Sequence, residues 1–492
     1  MKTICKLFSL GALLVAAISC NIGGYYMSPD AYLPEEIEPQ MPGDSFDEIK
    51  ENEFVKVADQ PVSTFSIDAD GASYAYVRRC LINGYSPSRD AVRIEEFLNY
   101  FTFDYPDPSG NETVAINAEI GDCPWAEGHK LLRLGLKGKS LKENEMPDAN
   151  FIFLIDNSGS MSGSDRIDLL KDGLCNMVDY MRPTDRVAII TYGGGVRRVL
   201  ESTLVSDSKS IKAAIKKLTA SGFTPGGAAM KMAYDEAVEH YIKGGNNRII
   251  MCTDGDFNVG VSSTDELVEM VESYLDKGIY LSVMGFGTGN YQDSRMESIS
   301  NHGNGTYTYI DSEDEMMKVF VHERSHFVSV AADTKCQVRF TQAVDSYRLI
   351  GYENRVMNNE DFENDKKDAG EIGAGQTITA VYEFVPAQEY AAGAAAADFE
   401  VRYKLALGGE SRPLLMSVKA PAVDAAPSGE FNFAAGLTAF GLTLRDSKHK
   451  GTASLSMARD LITPAATPGN GVDPLGLRPK LLELISTAEK LQ

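Results

Sequence analysis

Residues 151–163, FIFLIDNSGSMSG, constrain this chain more than any other stretch. Five apolar residues in a row, 151–155, read as a strand covered on both faces, which in soluble proteins means a parallel sheet under helices. The run stops at Asp156. A loop of small residues follows, in which Asp156, Ser158 and Ser160 alternate, and a helix is expected just beyond it. Ligand sites of α/β folds lie in such loops, at the carboxyl edge of the sheet. One carboxylate and two hydroxyls within five residues suit a hard divalent cation, with room left in its shell for a further ligand.

The surrounding pattern agrees. Strand candidates at 151–155, 186–191, 248–252, 279–285 and 305–310 alternate with helix candidates at 166–181, 207–219, 226–242, 264–276, 291–300 and 311–321. Such alternation predicts a doubly wound, mostly parallel sheet spanning 146–326. After residue 327 the pattern turns to strands, 328–340, 346–352, 376–384, 397–405 and 414–418, making a β-rich domain over 327–421. The earlier strands 113–120 and 129–136, in an α+β region over 61–145, need partners. We expect them to join the later strands in one sandwich-like domain, with the α/β unit inserted between. Asp90 is the expected N-cap of a helix over 90–101, and residues 422–492 hold two or three terminal helices.

Residues 1–19 form a short positive segment with Lys2 and Lys6, then an apolar core too short to span a bilayer. It closes on Ala16-Ala17-Ile18-Ser19-Cys20, which resembles a bacterial lipobox, with Cys20 as the lipidated first residue of the mature chain. Acyl chains would then hold the protein to a membrane of the cell envelope. Asn21 in place of Asp favours the outer membrane, on its periplasmic or surface face, over the inner one. Residues 20–60 read as a disordered acidic tether, with ten acidic groups and two lysines from residue 21 on. A net charge of −23 argues against nucleic acid as a partner. Cys80, Cys123, Cys175, Cys252 and Cys336 are widely spaced, with no zinc-knuckle pattern and nothing to select a disulfide pair; Cys175 and Cys252 fall in apolar periodic segments and read as core.

Two further segments can complete a cation shell from the same sheet edge: 222–227, GFTPGG, with Thr224, and 251–256, MCTDGD, with Asp254. These three pieces, in this order, resemble the von Willebrand factor type A domain and its metal-ion-dependent adhesion site. The matched residues are Asp156, Ser158, Ser160, Thr224 and Asp254. The resemblance continues through STFSIDADGA (63–72), DAVRIEEFLNY (90–100), Cys123-Pro124-Trp125, YRLIGYENR (347–355) and DAGEIGAG (368–375), which look like bacterial lipoproteins that carry this domain between two uncharacterised regions. It implies a non-enzymatic, membrane-tethered protein that uses Mg²⁺, or Mn²⁺ or Ca²⁺, to capture an Asp or Glu side chain of a partner protein. In such domains the last helix, 311–321 here, would be the coupling element.

Other motifs compete. His322-Glu323-Arg324-Ser325-His326 fits the H-E-x-x-H pattern of zinc peptidases, which also need a third ligand. Asp68 and Asp70 begin like a calcium loop, but Arg79 stands where the bidentate Glu belongs, so they read as turn residues. A phosphotransferase would place a carboxylate where Ser158 stands. A third reading is a structural scaffold with an inert metal site.

Overall fold

The apolar run lies inside the strand Ala149–Asp156, all eight residues of which are buried. Phe151, Phe153 and Ile155 enter one core and Ile152 and Leu154 another, so the strand has no polar face. The computed structural model describes residues 46–222, 226–255, 264–275, 277–287, 293–405, 409–467 and 472–491. Thr224, residues 1–19 and residues 20–45 of the expected tether, Cys20 among them, lie outside them.

Ala149–Asp156 is flanked by parallel Arg186–Tyr192 on one side and parallel Asn246–Thr253 on the other. Ile279–Phe286 and Tyr307–Ile310 extend the parallel sheet beyond Asn246–Thr253. The winding therefore reverses between Ala149–Asp156 and Asn246–Thr253, the topological switch point where such folds bind ligands. Helices Ile167–Tyr180 and Ser208–Lys216 cover one face, and Gly226–Glu239, Thr264–Leu275 and Asp293–His302 cover the other. One strand was not anticipated. Val196–Leu204 closes the edge beyond Arg186–Tyr192 and runs antiparallel to it.

The remaining strands form two antiparallel sheets packed face to face. In one, Val114–Asp122, Lys130–Gly138, Thr377–Pro386, Val344–Ile350 and the short Val55–Lys56 lie in that order. Lys130–Gly138 and Thr377–Pro386 pair residue by residue, Leu136 opposite Ile378, although the whole α/β unit lies between them in sequence. The other sheet is built on Ser329–Phe340, which pairs with Val62–Ser66 and Ala395–Lys404. Phe65, Leu134, Val338, Tyr382 and Phe399 fill the space between. The chain thus combines a mostly parallel α/β sheet, inserted into a β-sandwich, with a group of C-terminal helices.

Those helices, Gly429–Leu444, Leu455–Ile462 and Leu477–Leu491, share a core with the N-terminal helices Ala72–Ile82 and Ile94–Tyr100. Gly429–Leu444 is apolar around most of its circumference because neighbours enclose it; Phe433 meets Phe101 edge to face at 5.3 Å between ring centres.

Several expectations are corrected. Asp90 caps no α-helix: it sits in the 3-10 turn Arg89–Ala91 and accepts from the Ile49 amide, while extended backbone at Val92 and Arg93 delays the helix to Ile94. The tether ends before residue 60, because Asn52 donates to the Leu349 and Gly351 carbonyls and Val55–Lys56 joins a sheet. The helix expected over 311–321 is α-helical only over Glu313–Met317 and continues as the π-turn Lys318–His322. Cys175 is half-buried, and Cys123, Cys175, Cys252 and Cys336 are free thiols. Among the described residues, no helix is long and apolar enough to cross a membrane.

Candidate metal centre

Asp156 is the last residue of its strand and is fully buried. Its Oδ1 accepts from the Ser158 amide at 2.8 Å, a side-chain turn that starts the loop. The 3-10 turn Gly159–Met161 then brings the Ser158 and Ser160 hydroxyls to 2.8 Å from each other. Ser158 is buried and Ser160 is exposed, so the pair bridges the interior and the surface.

Across the switch point, Thr253 ends the neighbouring strand, and its Oγ1 lies 3.4 Å from Asp156 Oδ2. The same hydroxyl accepts from the Gly255 amide at 3.2 Å, which turns the chain immediately after Asp254. Asp254 is also buried. Three backbone contacts hold the serine loop from its other side: Asn157 donates to the Tyr192 carbonyl, Ser221 donates to Asn157, and Gly159 donates to Gly222.

The structure therefore brings Asp156, Ser158 and Ser160 into one loop and sets Asp254 at the adjoining strand end. Thr224 is outside the described residues. Sequence reasoning missed Thr253, which links the two acidic arms. Its only signal was its place between a buried strand and Asp254.

Burial, with the Asp254 charge adding to it, pushes the Asp156 carboxyl up to about 7, against the pull of its hydrogen bonds from Ser158. Two buried carboxyl groups at one point are costly without a counter-charge. The donors gathered around them are all oxygens: carboxylates and hydroxyls. That set fits a hard divalent cation and lacks the sulfur or imidazole of a zinc site.

The competing motifs fare differently. Between His322 and His326 the chain passes from a π-turn into the 3-10 turn Arg324–Phe327, so the α-helical i, i+4 face that paired zinc ligands use is not formed. Glu323 is held by the Lys318 ammonium at 2.8 Å. Asp68 and Asp70 are turn residues, since Asp68 Oδ1 accepts from the Asp70 amide, and Arg355 Nε meets Asp68 Oδ2 at 3.1 Å. Among the described residues, one group of three His, Cys, Asp or Glu side chains is close enough to share an ion: Glu236, Glu239 and His240. Glu236 is already committed to Arg198 at 3.0 Å and to the Ser202 amide at 2.8 Å.

Comparison with known proteins agrees with this architecture. A family profile described as von Willebrand factor type A domain matches residues 151–256, and one described as von Willebrand factor matches residues 40–133. A third, described as Uncharacterized protein YfbK, C-terminal, matches residues 325–491. The chain is 37% identical over 471 residues to the uncharacterized protein YfbK of Escherichia coli (strain K12), covering 90% of this chain and 81% of that one. It is 28% identical over 176 residues to human inter-alpha-trypsin inhibitor heavy chain H3, covering 34% of this chain and 20% of that protein. Among solved structures, a von Willebrand factor type A protein from Catenulispora acidiphila matches with a TM-score of 0.41 and 16% identity, over 73% of this chain and 88% of that one.

Proposed function

Because the chain belongs to the family of the uncharacterized protein YfbK and carries a von Willebrand factor type A domain, we propose that it is a non-enzymatic, divalent-cation-dependent protein-binding lipoprotein, adhesive or scaffolding in role. The observation that carries this reading is the position of Asp156, Ser158 and Ser160 at the switch point of the sheet, with Asp254 at the adjoining strand end. Asp156 holds the loop from inside through the Ser158 amide, and the two hydroxyls carry the donor set out to the surface. A divalent cation bound there, Mg²⁺ first among the candidates, would supply Lewis acidity toward an incoming carboxylate. Neutral hydroxyls on the outer side leave positive charge for that carboxylate, so an Asp or Glu of a partner protein is the matching ligand. Attachment through Cys20 to the cell envelope, on the periplasmic or surface face of the outer membrane, belongs to the same proposal.

A crosslinked pull-down from envelope fractions tests it, comparing wild type with Asp156→Ala, each with and without a chelator. Partner bands lost equally on chelation and in Asp156→Ala support the reading. Bands indifferent to both would leave an inert scaffold. Stoichiometric zinc in the purified protein, lost in His322→Ala, would replace the proposal with the peptidase.

A further inference from the structure

The loop of the candidate metal centre has two limbs. The outgoing limb is fixed from within, by the bond from the Ser158 amide to Asp156 and by Met161, which is fully buried. The return limb, residues 162–166, forms neither helix nor strand, and Gly163 takes φ +148° in it. It leads straight into the helix Ile167–Tyr180, with Arg166 at the N-cap. A guanidinium has no acceptor to offer the first-turn amides, so this end of the loop is not held by a cap of its own.

Other elements supply the hold. Arg79, on the N-terminal helix Ala72–Ile82, donates from Nη2 to Asp165 Oδ2 at 2.7 Å. Its guanidinium lies over the Tyr309 ring, 5.9 Å from the ring centre, and Tyr309 Oη donates to the Gly287 carbonyl at 2.6 Å. Gly287 closes on the next residue of the limb, since a Cβ there would stand 2.0 Å from Arg166 Nε. Arg79, Tyr309 and Gly287 thus bracket Asp165 and Arg166 from the N-terminal helix, from the edge strand Tyr307–Ile310 and from the end of Ile279–Phe286. The ion pair is partly sheltered, with the Arg79 side chain 14% exposed and that of Asp165 36%. Burial raises the Asp165 carboxyl, but the Arg79 hydrogen bond and the charges of Arg166 and Arg79 outweigh it and hold the group below its ordinary range.

We infer that Arg79 is a positioning residue of the candidate metal centre: through Asp165 it sets the return limb, and with it the Ser158 and Ser160 hydroxyls, from a helix outside the α/β unit. The inference rests on the metal reading proposed above and extends it. Ion affinity then depends on how the N-terminal helix is seated, and by reciprocity a bound ion tightens that seating. Charge alone predicts the opposite sign. A guanidinium repels a divalent cation, so its removal would tighten Mg²⁺ binding if electrostatics were its only influence. Loss of a contact that orients the ligands weakens binding, typically about 10–100-fold.

Titration calorimetry of the full chain with Mg²⁺ decides between the two signs. Wild type should bind saturably and Asp156→Ala should not. Arg79→Gln should bind about tenfold more weakly although it removes a cation. Arg79→Lys keeps the charge but loses the planar fork, and its affinity should fall between those of wild type and Arg79→Gln. Should Arg79→Gln fail to fold, Arg79→Lys carries the measurement, because it alters the contact and leaves the charge. Asp165→Asn breaks the same link from the other side, so the double variant should bind no more weakly than the weaker single one. Arg89→Gln, which removes an exposed ion pair to Asp446, should leave the affinity unchanged. Wild-type or tighter binding by Arg79→Gln, with Asp156→Ala still silent, overturns this inference and leaves the metal reading standing. Additive losses in the double variant overturn the route through Asp165. No saturable binding by wild type overturns both readings together.

Discussion

Arg78 and Asp311 meet through two parallel hydrogen bonds, Nε to Oδ2 at 2.8 Å and Nη2 to Oδ1 at 2.5 Å, across 233 residues of sequence. The same guanidinium reaches Glu315 Oε2 at 2.8 Å, and Tyr100 Oη donates to that oxygen at 2.6 Å. An N-terminal helix thereby grips the last helix of the α/β unit. Removing one partner of a buried ion pair strands the others, at a cost of about 3–5 kcal/mol. Arg78→Ala should destabilise the protein by that amount in denaturant titration, and Arg78→Lys should recover only part of it, because an ammonium cannot form the two-pronged contact. The same helix carries an internal control. Lys480 and Asp314 lie 2.7 Å apart with exposed side chains. Lys480→Ala should therefore change stability by less than about 1 kcal/mol.

Glu371 supplies a pH dependence. Burial pushes its carboxyl up to about 8, despite the hydrogen bond from Ser329. The folded state therefore holds this proton more tightly than the unfolded chain does. The stabilisation is fully present below the unfolded value of roughly 4.5 and is lost as pH rises through about 8. Wild type should lose on the order of a few kcal/mol more between pH 5 and pH 8.5 than Glu371→Gln does, read from denaturant midpoints at each pH. Parallel pH profiles for the two proteins would show that the group is not protonated in the fold.

How much of this was legible follows from where each residue buries its side chain. Residues 151–155 were readable as a strand because both faces are covered. Val196–Leu204 was not, because its Arg197, Arg198 and Glu201 are exposed at an antiparallel edge and leave no apolar period. The sandwich partners of residues 113–136 could be inferred because these strands pair locally only with each other and a lone hairpin needs further strands, though their register could not. The π-turn at Lys318–His322 had no sequence signal. The Lys318 ammonium there bonds to Glu323 and lies 4.2 Å from the centre of the Tyr100 ring, contacts supplied by the tertiary fold. At the candidate site the residue spacing was readable from Asp156 to Ser160. The link through Thr253 was not, because a threonine at a strand end reads as β-propensity alone.

Metal addition gives a direct measurement. A ligand at a hundred times its dissociation constant stabilises the folded state by about 2.7 kcal/mol. Saturating Mg²⁺ should raise the unfolding free energy of wild type by that order, and a chelator should reverse the gain. Asp156→Ala should show no Mg²⁺ response. Because it also removes a buried carboxyl held up at about 7, its stability without metal should match or exceed that of metal-free wild type. A response that persists in this variant would move the ion away from the strand end.

The loop behind the serines offers the most selective test of the site. Gly222 adopts φ +91°, a conformation that disfavours L side chains, and a Cβ on it would stand 2.0 Å from the Gly193 carbonyl oxygen. Backbone cannot yield as a flexible side chain does, so Gly222→Ala must move one strand-end loop or the other. Both touch the candidate centre. Gly222 accepts from the Gly159 amide, between the two serines, and Ser221 donates to Asn157. Residues that orient a metal's ligands typically account for 10–100-fold in affinity. Gly222→Ala should accordingly weaken Mg²⁺ binding about tenfold or more in calorimetry. Gly84→Ala isolates the conformational cost, since Gly84 has φ +79° with nothing within 4 Å of an added Cβ. That control should lose about 1 kcal/mol of stability and keep its affinity for the ion. Equal affinities in both variants would mean that the loop crossing at Gly222 does not shape the site, and the serine pair would have to be held by Asp156 and the 3-10 turn alone.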